Sequence, residues 1–170
     1  MEPDVLLEQE FYSAHAELFA ELLRSVTWDQ SMKARRTASF GKPYIYSQMN
    51  YEVSEMLPCL VPVGEILSKR LSVHFNNCLL NLYESGQNTM GFHSDDTTNL
   101  LPGTGVAIMS LGSERTITFR SMDQRKLVHY SLKPGSLLYM GSDVQAGWMH
   151  SIRKQDGAGP RISLTWRAIL

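Results

Sequence analysis

Residues 105–120 read GVAIMSLGSERTITFR. Two runs rich in β-branched and aliphatic side chains, 105–111 and 115–120, flank the turn signal Gly112-Ser113. The same texture continues on both sides. Upstream lies 73–83 (VHFNNCLLNLY); downstream come 126–132 (KLVHYSL), 136–140 (SLLYM), 148–152 (WMHSI) and 161–169 (RISLTWRAI). Glu84-Ser85-Gly86, Pro102-Gly103, Pro134-Gly135 and the stretch Gly157 to Pro160 supply further turns. Many short strands at this spacing predict a β-sandwich or barrel.

The first third of the chain has a different period. Residues 13–25, SAHAELFAELLRS, space Ala16, Leu18, Phe19, Leu22 and Leu23 as one face of a helix. Ser13 is the expected N-cap, and Ala16 in place of an acid at N3 leaves the capping box incomplete. A second helix is expected over 60–71 with Pro62 in its first turn. Both helices should pack on the outside of the sheets, giving an α+β, mainly β, fold. Between them, 33–51 carries Lys33, Arg35 and Arg36 and then PYIYS.

A length of 170 residues, 43% hydrophobic, suits one domain over 1–170. No apolar run has transmembrane length, and MEPDVLLEQE lacks a signal-peptide pattern. Cys59 and Cys78 are too far apart for a metal or redox pair, so reduced thiols and an intracellular protein, cytoplasmic or nuclear, are expected. The net charge of −1 does not by itself suggest a nucleic-acid partner, but it is unevenly spread. Residues 1–30 carry −6 and the remainder +5, a mildly basic body that permits phosphate contacts.

The last run alternates cleanly. Arg161, Ser163, Thr165 and Arg167 share one face; Ile162, Leu164, Trp166 and Ala168 share the other. Two arginines on an inward polar row are unusual, because an unpaired buried guanidinium is costly. Their Cα atoms would lie about 20 Å apart, a gap that two arginine side chains and a short diacid can span by pairing at both ends. The bland alternative is a pair of structural ion pairs on a solvated face.

His93-Ser94-Asp95 is a weak signal alone. On a strand, positions i and i+2 point the same way, so an imidazole and a carboxylate would converge. One further histidine would complete the two-His-one-carboxylate triad of non-haem Fe(II) oxygenases. His15 reads as solvated, and His74 and His129 as structural. His150 is the best third ligand, because its strand leads into the arginine strand.

Taken together, these segments resemble the AlkB family of Fe(II)/2-oxoglutarate-dependent dioxygenases from about residue 30 onward. The matching segments are Arg36-Thr37 through Phe40-Gly41, Tyr44 to Ser47, Phe75-Asn76, Asn81-Leu82-Tyr83, Gly86, His93 to Asp96, Ser110-Leu111-Gly112, Arg115, Phe119-Arg120, Gly135 to Leu138, His150-Ser151 and Pro160 to Arg167. The resemblance implies a double-stranded β-helix, or jelly roll, with a core over 73–170. The N-terminal helix and a nucleotide-recognition lid would occupy 1–51. It implies that His93, Asp95 and His150 hold Fe(II) as the catalytic set, and that O2 and 2-oxoglutarate are co-substrates. Arg161 and Tyr83 would take the distal carboxylate, Arg167 and Asn81 the keto-acid end, with Thr165 beside them. Tyr44 and Tyr46 would hold the target base, and Asp96 would touch it. Lys33, Arg35, Arg36 and Lys42, just before or within this segment, read either as phosphate contacts or as a solvated basic face.

The implied activity is oxidative demethylation of N-alkylated bases in DNA or RNA, single-stranded or flipped out of a duplex, by a monomer with no membrane partner. The chain departs from the family pattern at Thr97, where an acid is usual, at Ser163 for Asn, and at Trp166 for Phe. Thr97 and the small net charge keep a second reading open, the same chemistry on a small molecule, nucleotide or protein side chain. A non-catalytic nucleic-acid-binding module or a structural zinc protein is disfavoured, since zinc needs no diacid site.

Overall fold

The computed structural model describes residues 1–44 and 52–170. In chain order the elements are β1 (Val5–Glu8), α1 (His15–Ser25), β2 (Arg36–Gly41), α2 (Val61–Leu71), β3 (Asn77–Tyr83), β4 (Met90–His93), β5 (Val106–Gly112), β6 (Arg115–Ser121), β7 (Leu127–Leu132), β8 (Leu137–Met140), α3 (Val144–Gly147), β9 (Trp148–Ile152) and β10 (Arg161–Arg167). A six-stranded sheet runs β1-β8-β5-β10-β3-β2, and a four-stranded sheet runs β4-β9-β6-β7. The strand pairings described are all antiparallel, as a jelly roll requires.

Three layers result. Ile162, Leu164 and Trp166 of β10 join Cys78, Leu80 and Leu82 of β3 and Ala107, Met109 and Leu111 of β5 in one apolar cluster. Leu18 and Leu22 of α1 and Val63 and Leu67 of α2 cover it, so the helices lie on one outer face of the large sheet, as expected. The other face turns toward the small sheet. There Leu79, Ile108, Leu138 and Met140 meet Ile117, Phe119, Trp148 and Ile152. The central strands are therefore buried on both faces. Their polar residues do not reach solvent; they line the space between the sheets.

Several details differ from the sequence expectations. Helix α1 starts at His15 with Ala14 at the N-cap and no side-chain cap, so Ser13 stands one position too early to serve. Residues 36–41 form β2 at one edge of the large sheet, and 5–8 form β1 at the other. Neither has the clean alternation that marks a strand in sequence; long-range pairing, not local propensity, makes them strands. Strand β4 ends at His93, so Asp95 follows in an extended segment, and the β4–β9 register shifts between Met90 and His93. His93 and Asp95 are thus neighbours, as expected, but not as positions i and i+2 of one strand. Among the described residues no helix is long and apolar enough to cross a membrane.

Candidate active site

A cavity of about 460 Å³ lies between the sheets. Strand register builds it. Arg161, Ser163 and Thr165 of β10 stand opposite Tyr83, Asn81 and Leu79 of β3 and opposite Gly112, Ser110 and Ile108 of β5. His93 on β4 is paired with His150 on β9. Ligand atoms of His93, Asp95 and His150 lie within 4.8 Å of one another.

At this end the Nε2 atoms of His93 and His150 lie 3.5 and 3.7 Å from Asp95 Oδ1. His93 Nδ1 is 2.8 Å from the Gly91 carbonyl; donating there leaves the Nε2 lone pair facing the carboxylate. Burial pushes His150 down to about 4, so its imidazole is neutral, the form that ligates a metal. Asp95 is buried, which by itself would raise its carboxyl, but the Arg167 charge together with His93 and His150 outweighs that and holds it well below the usual carboxylate range. Two neutral imidazoles and one carboxylate converging on a point fit a divalent transition metal.

Two further contacts set Asp95. The Gln145 side chain, buried at α3, accepts the Asp95 backbone N–H at 2.7 Å, and Ser94 Oγ donates to the Trp148 carbonyl at 3.0 Å. Nothing in the sequence marked Gln145. Only the fold brings α3 against the segment after β4.

Arg167 Nη2 and Nε reach Asp95 Oδ2 at 2.7 and 3.3 Å, and its guanidinium carbon lies 3.8 Å from the Tyr44 ring centroid. This corrects the picture of a diacid gripped by an arginine at each end. One arginine is engaged by the metal-site carboxylate, because a buried Asp95 needs a counter-charge. Arg167 lines the cavity, and its Nη1 has no hydrogen-bond partner among the described residues. Asn81 Oδ1 accepts from Arg35 Nε at 2.9 Å, so Arg35 enters the cavity lining beside it.

The other end of the row is different. Arg161 is fully buried and donates to Ser110 Oγ at 2.9 Å, while its Nε and Nη1 have no protein partner. The Tyr83 hydroxyl, in the same lining, lies beside the Arg161 guanidinium and has no acceptor for its own proton among the described residues. Burial pushes Arg161 down to about 10, still a cation at neutral pH. A buried cation, a free guanidinium edge and a hydroxyl proton without an acceptor fit a carboxylate such as the distal one of 2-oxoglutarate. Ser163 and Thr165 line the wall between the two ends.

The lid residues are brought together only in part. Tyr44 is buried, and its hydroxyl accepts the Asp96 N–H at 2.9 Å; burial pushes that phenol up to about 12. Its ring thus walls the site beneath Arg167. Tyr46 lies outside the described residues. Asp96 lines the cavity with Oδ1 accepting from Thr98 N and Oγ1 at 2.9 and 2.6 Å, which lowers its carboxyl. Arg36 is 3.0 Å from Glu84 on the surface and does not line the cavity.

A sequence profile described as the 2OG-Fe(II) oxygenase superfamily matches residues 6–167. DNA oxidative demethylase ALKBH2 of Homo sapiens is 33% identical over 149 residues, covering 80% of this chain and 57% of that protein. Alpha-ketoglutarate-dependent dioxygenase alkB homolog 3 of Mus musculus is 29% identical over 173 residues, covering 89% and 60%. The chain thus spans less than two thirds of the length of these relatives. The solved structure of OsALKBH1 superposes with a TM-score of 0.77 at 16% identity, covering 99% of this chain and 98% of that one, a likeness of fold. With the profile covering nearly all of its length, the chain belongs to the 2OG-Fe(II) oxygenase superfamily, whose chemistry runs on Fe(II), 2-oxoglutarate and O2.

Proposed function

We propose that this chain oxidatively demethylates N-alkylated bases in nucleic acid. The observation that carries the reading is the cavity itself. Its metal-ligating end is partly open at His93, its cationic end is closed at Arg161, and the chain's sequence relatives include a protein named DNA oxidative demethylase. His93, Asp95 and His150 would hold Fe(II). Arg161 and Tyr83 would fix the far carboxylate of 2-oxoglutarate, and Arg167 and Asn81 would border its keto-acid end. Fe(II) held there would supply the activation of O2 coupled to conversion of 2-oxoglutarate to succinate and CO2, the chemistry by which an N-methyl group would be hydroxylated and lost as formaldehyde.

The chain's own part is orientation and exclusion of water. Asp96, held by Thr98, presents a carboxylate beside the target position, and Tyr44 walls it. A base must leave its stack to enter, so single strands or flipped bases are the substrate form. Lys33, Arg36 and Lys42 belong to the 1–51 segment read as helix and lid and would take phosphates, Arg36 by exchanging its surface partner Glu84. The working unit is a monomer in which 73–170 supplies the central strands and 1–51 the N-terminal helix, the edge strands β1 and β2, and the lid. An intracellular setting, cytoplasmic or nuclear, suits this substrate and the free thiols of Cys59 and Cys78.

Thr97, exposed next to Asp96 where an acid is usual, favours a second reading: the same chemistry on a nucleotide, small molecule or protein side chain. Incubation with Fe(II), 2-oxoglutarate and methylated oligonucleotides separates the two. Loss of one methyl mass from the oligonucleotide is expected. Succinate formed only with a metabolite mixture, with no demethylation, overturns the first reading in favour of the second.

A further inference from the structure

Arg115 opens β6, is fully buried, and has no role in what precedes. Its guanidinium donates to three main-chain carbonyls: Ser85 at 3.3 Å, Asn88 at 2.8 Å and Arg153 at 2.8 Å. Ser85 and Asn88 belong to the turn between β3, which carries Asn81 and Tyr83, and β4, which ends at His93. Arg153 directly follows β9, which carries His150. These two loops dock closely. Gly86 N–H donates to the Ala158 carbonyl and Gln155 N–H to the Gly86 carbonyl at 3.0 and 2.9 Å, and a Cβ on Gly86 would stand 1.7 Å from the Gln155 oxygen. Arg115 lies behind this contact and ties both loops together.

The carbonyls take donors from Nη1 and Nη2, leave the buried Nε without a hydrogen-bond partner among the described residues, and do not balance the charge. Among the described residues no carboxylate pairs with Arg115 or with Arg161. Both guanidinium carbons lie over the Tyr83 ring, at 5.3 and 5.2 Å from its centroid. Two buried cations thus share one aromatic ring with no anion, an arrangement expensive to keep for packing alone. A neutral donor would serve the loops at lower cost. A cation over the ring face draws electron density from the phenol and strengthens its hydroxyl as a donor. That hydroxyl is the one in the cavity lining whose proton lacks an acceptor.

We propose that Arg115 is a positioning residue of the diacid subsite: acting through Tyr83, it primes the subsite for a ligand's distal carboxylate. It does not touch the ligand. It adds positive potential behind Tyr83 and holds the ring against Arg161, so the cost of burying two cations is recovered only when a carboxylate arrives. The proposal rests on the reading of Arg161 as the carboxylate anchor.

The test compares two keto acids of the same chain length, 2-oxoglutarate and 2-oxopentanoate, which has a methyl group where the former has its distal carboxylate. Dissociation constants are measured on Fe(II)-loaded protein without O2 by quenching of tryptophan fluorescence, beside the melting temperature. Arg115→Met should weaken 2-oxoglutarate about tenfold and leave 2-oxopentanoate unchanged, whatever the loss in melting temperature. In a Tyr83→Phe background the same substitution should cost much less, because the two residues act as one unit. Equal weakening of both keto acids makes Arg115 a structural tie only and overturns the proposal, as does no change in either. If Arg115→Met does not fold, Arg115→Gln keeps a donor for one carbonyl and carries the same comparison. Arg161→Met separates the two levels. If it leaves 2-oxoglutarate binding intact, the anchor reading fails; if it weakens binding while Arg115→Met does not, only the present proposal falls.

Discussion

At the metal-ligating end of the cavity, Asp95 is buried but already paired with Arg167 at 2.7 Å; at the other end, Arg161 and Arg115 are buried with no carboxylate paired to them among the described residues. The first end is close to charge-balanced, and its geometry is held by Arg167, Gln145 and Ser94 before any ligand arrives. The second end keeps unmatched positive charge around Tyr83. One end is arranged for a divalent cation held by a balanced set of donors, the other for an anion that completes an unbalanced one. The difference predicts that the two ends respond separately to substitution.

The largest effect is expected at the metal end. Asp95→Ala should abolish turnover and weaken Co(II) binding, read from its visible absorption, by more than about a hundredfold, since even outer partners of metal ligands are worth 10–100-fold. Retention of wild-type Co(II) affinity would remove the triad from the site. At the opposite end Arg161→Ala should raise the 2-oxoglutarate KM about 10–100-fold with Co(II) affinity intact, the mirror of the first variant. A variant that loses both properties together would mean the ends are not independent.

The third effect is on stability. Burial lowers His150 from its unfolded value near 6.5 to about 4, so between these values the unfolded chain binds the extra proton. Stability of the metal-free protein is then complete above about pH 6.5 and falls as the pH drops toward 4, by up to about 3 kcal/mol. Melting temperatures across this range should slope steeply for wild type and less for His150→Gln; parallel curves would place the titration elsewhere. The smallest effect is expected at His129, exposed on β7 with Nδ1 2.9 Å from Thr118 Oγ, two strands from β9 and one register position off the row that carries His150. His129→Ala should change stability by no more than about 0.5 kcal/mol and leave Co(II) affinity untouched, a control read in the same assays.

Legibility in the sequence followed local regularity. The alternation from Arg161 to Arg167 is so clean that strand, faces and the inward arginines could all be read from it. The helices at 60–71 and 13–25 were readable for the same reason, though the cap of the second was misplaced by one residue. Strands β1 and β2 were not readable as strands, since they are edge strands that owe their form to partners far along the chain. Gln145, Ser110 and Arg115 carry no local mark of function. Their roles depend on which atoms face them: the Asp95 N–H, the Arg161 guanidinium, and three loop carbonyls with the Tyr83 ring.

The amino-acid sequence by itself determined that polar and apolar residues alternate along the core strands, and so which side chains share a face. It also determined which residue types stand ready to bind iron and a diacid. The tertiary structure alone decided how those residues divide the work. It set Arg167 against Asp95 rather than at a free end of the row, placed Arg35 and not Arg36 in the cavity, and gathered two uncompensated guanidiniums around Tyr83. The physical reason is that period reports direction, whereas pairing of charges depends on distance, and distances between strands far apart in the chain are fixed only by register and packing.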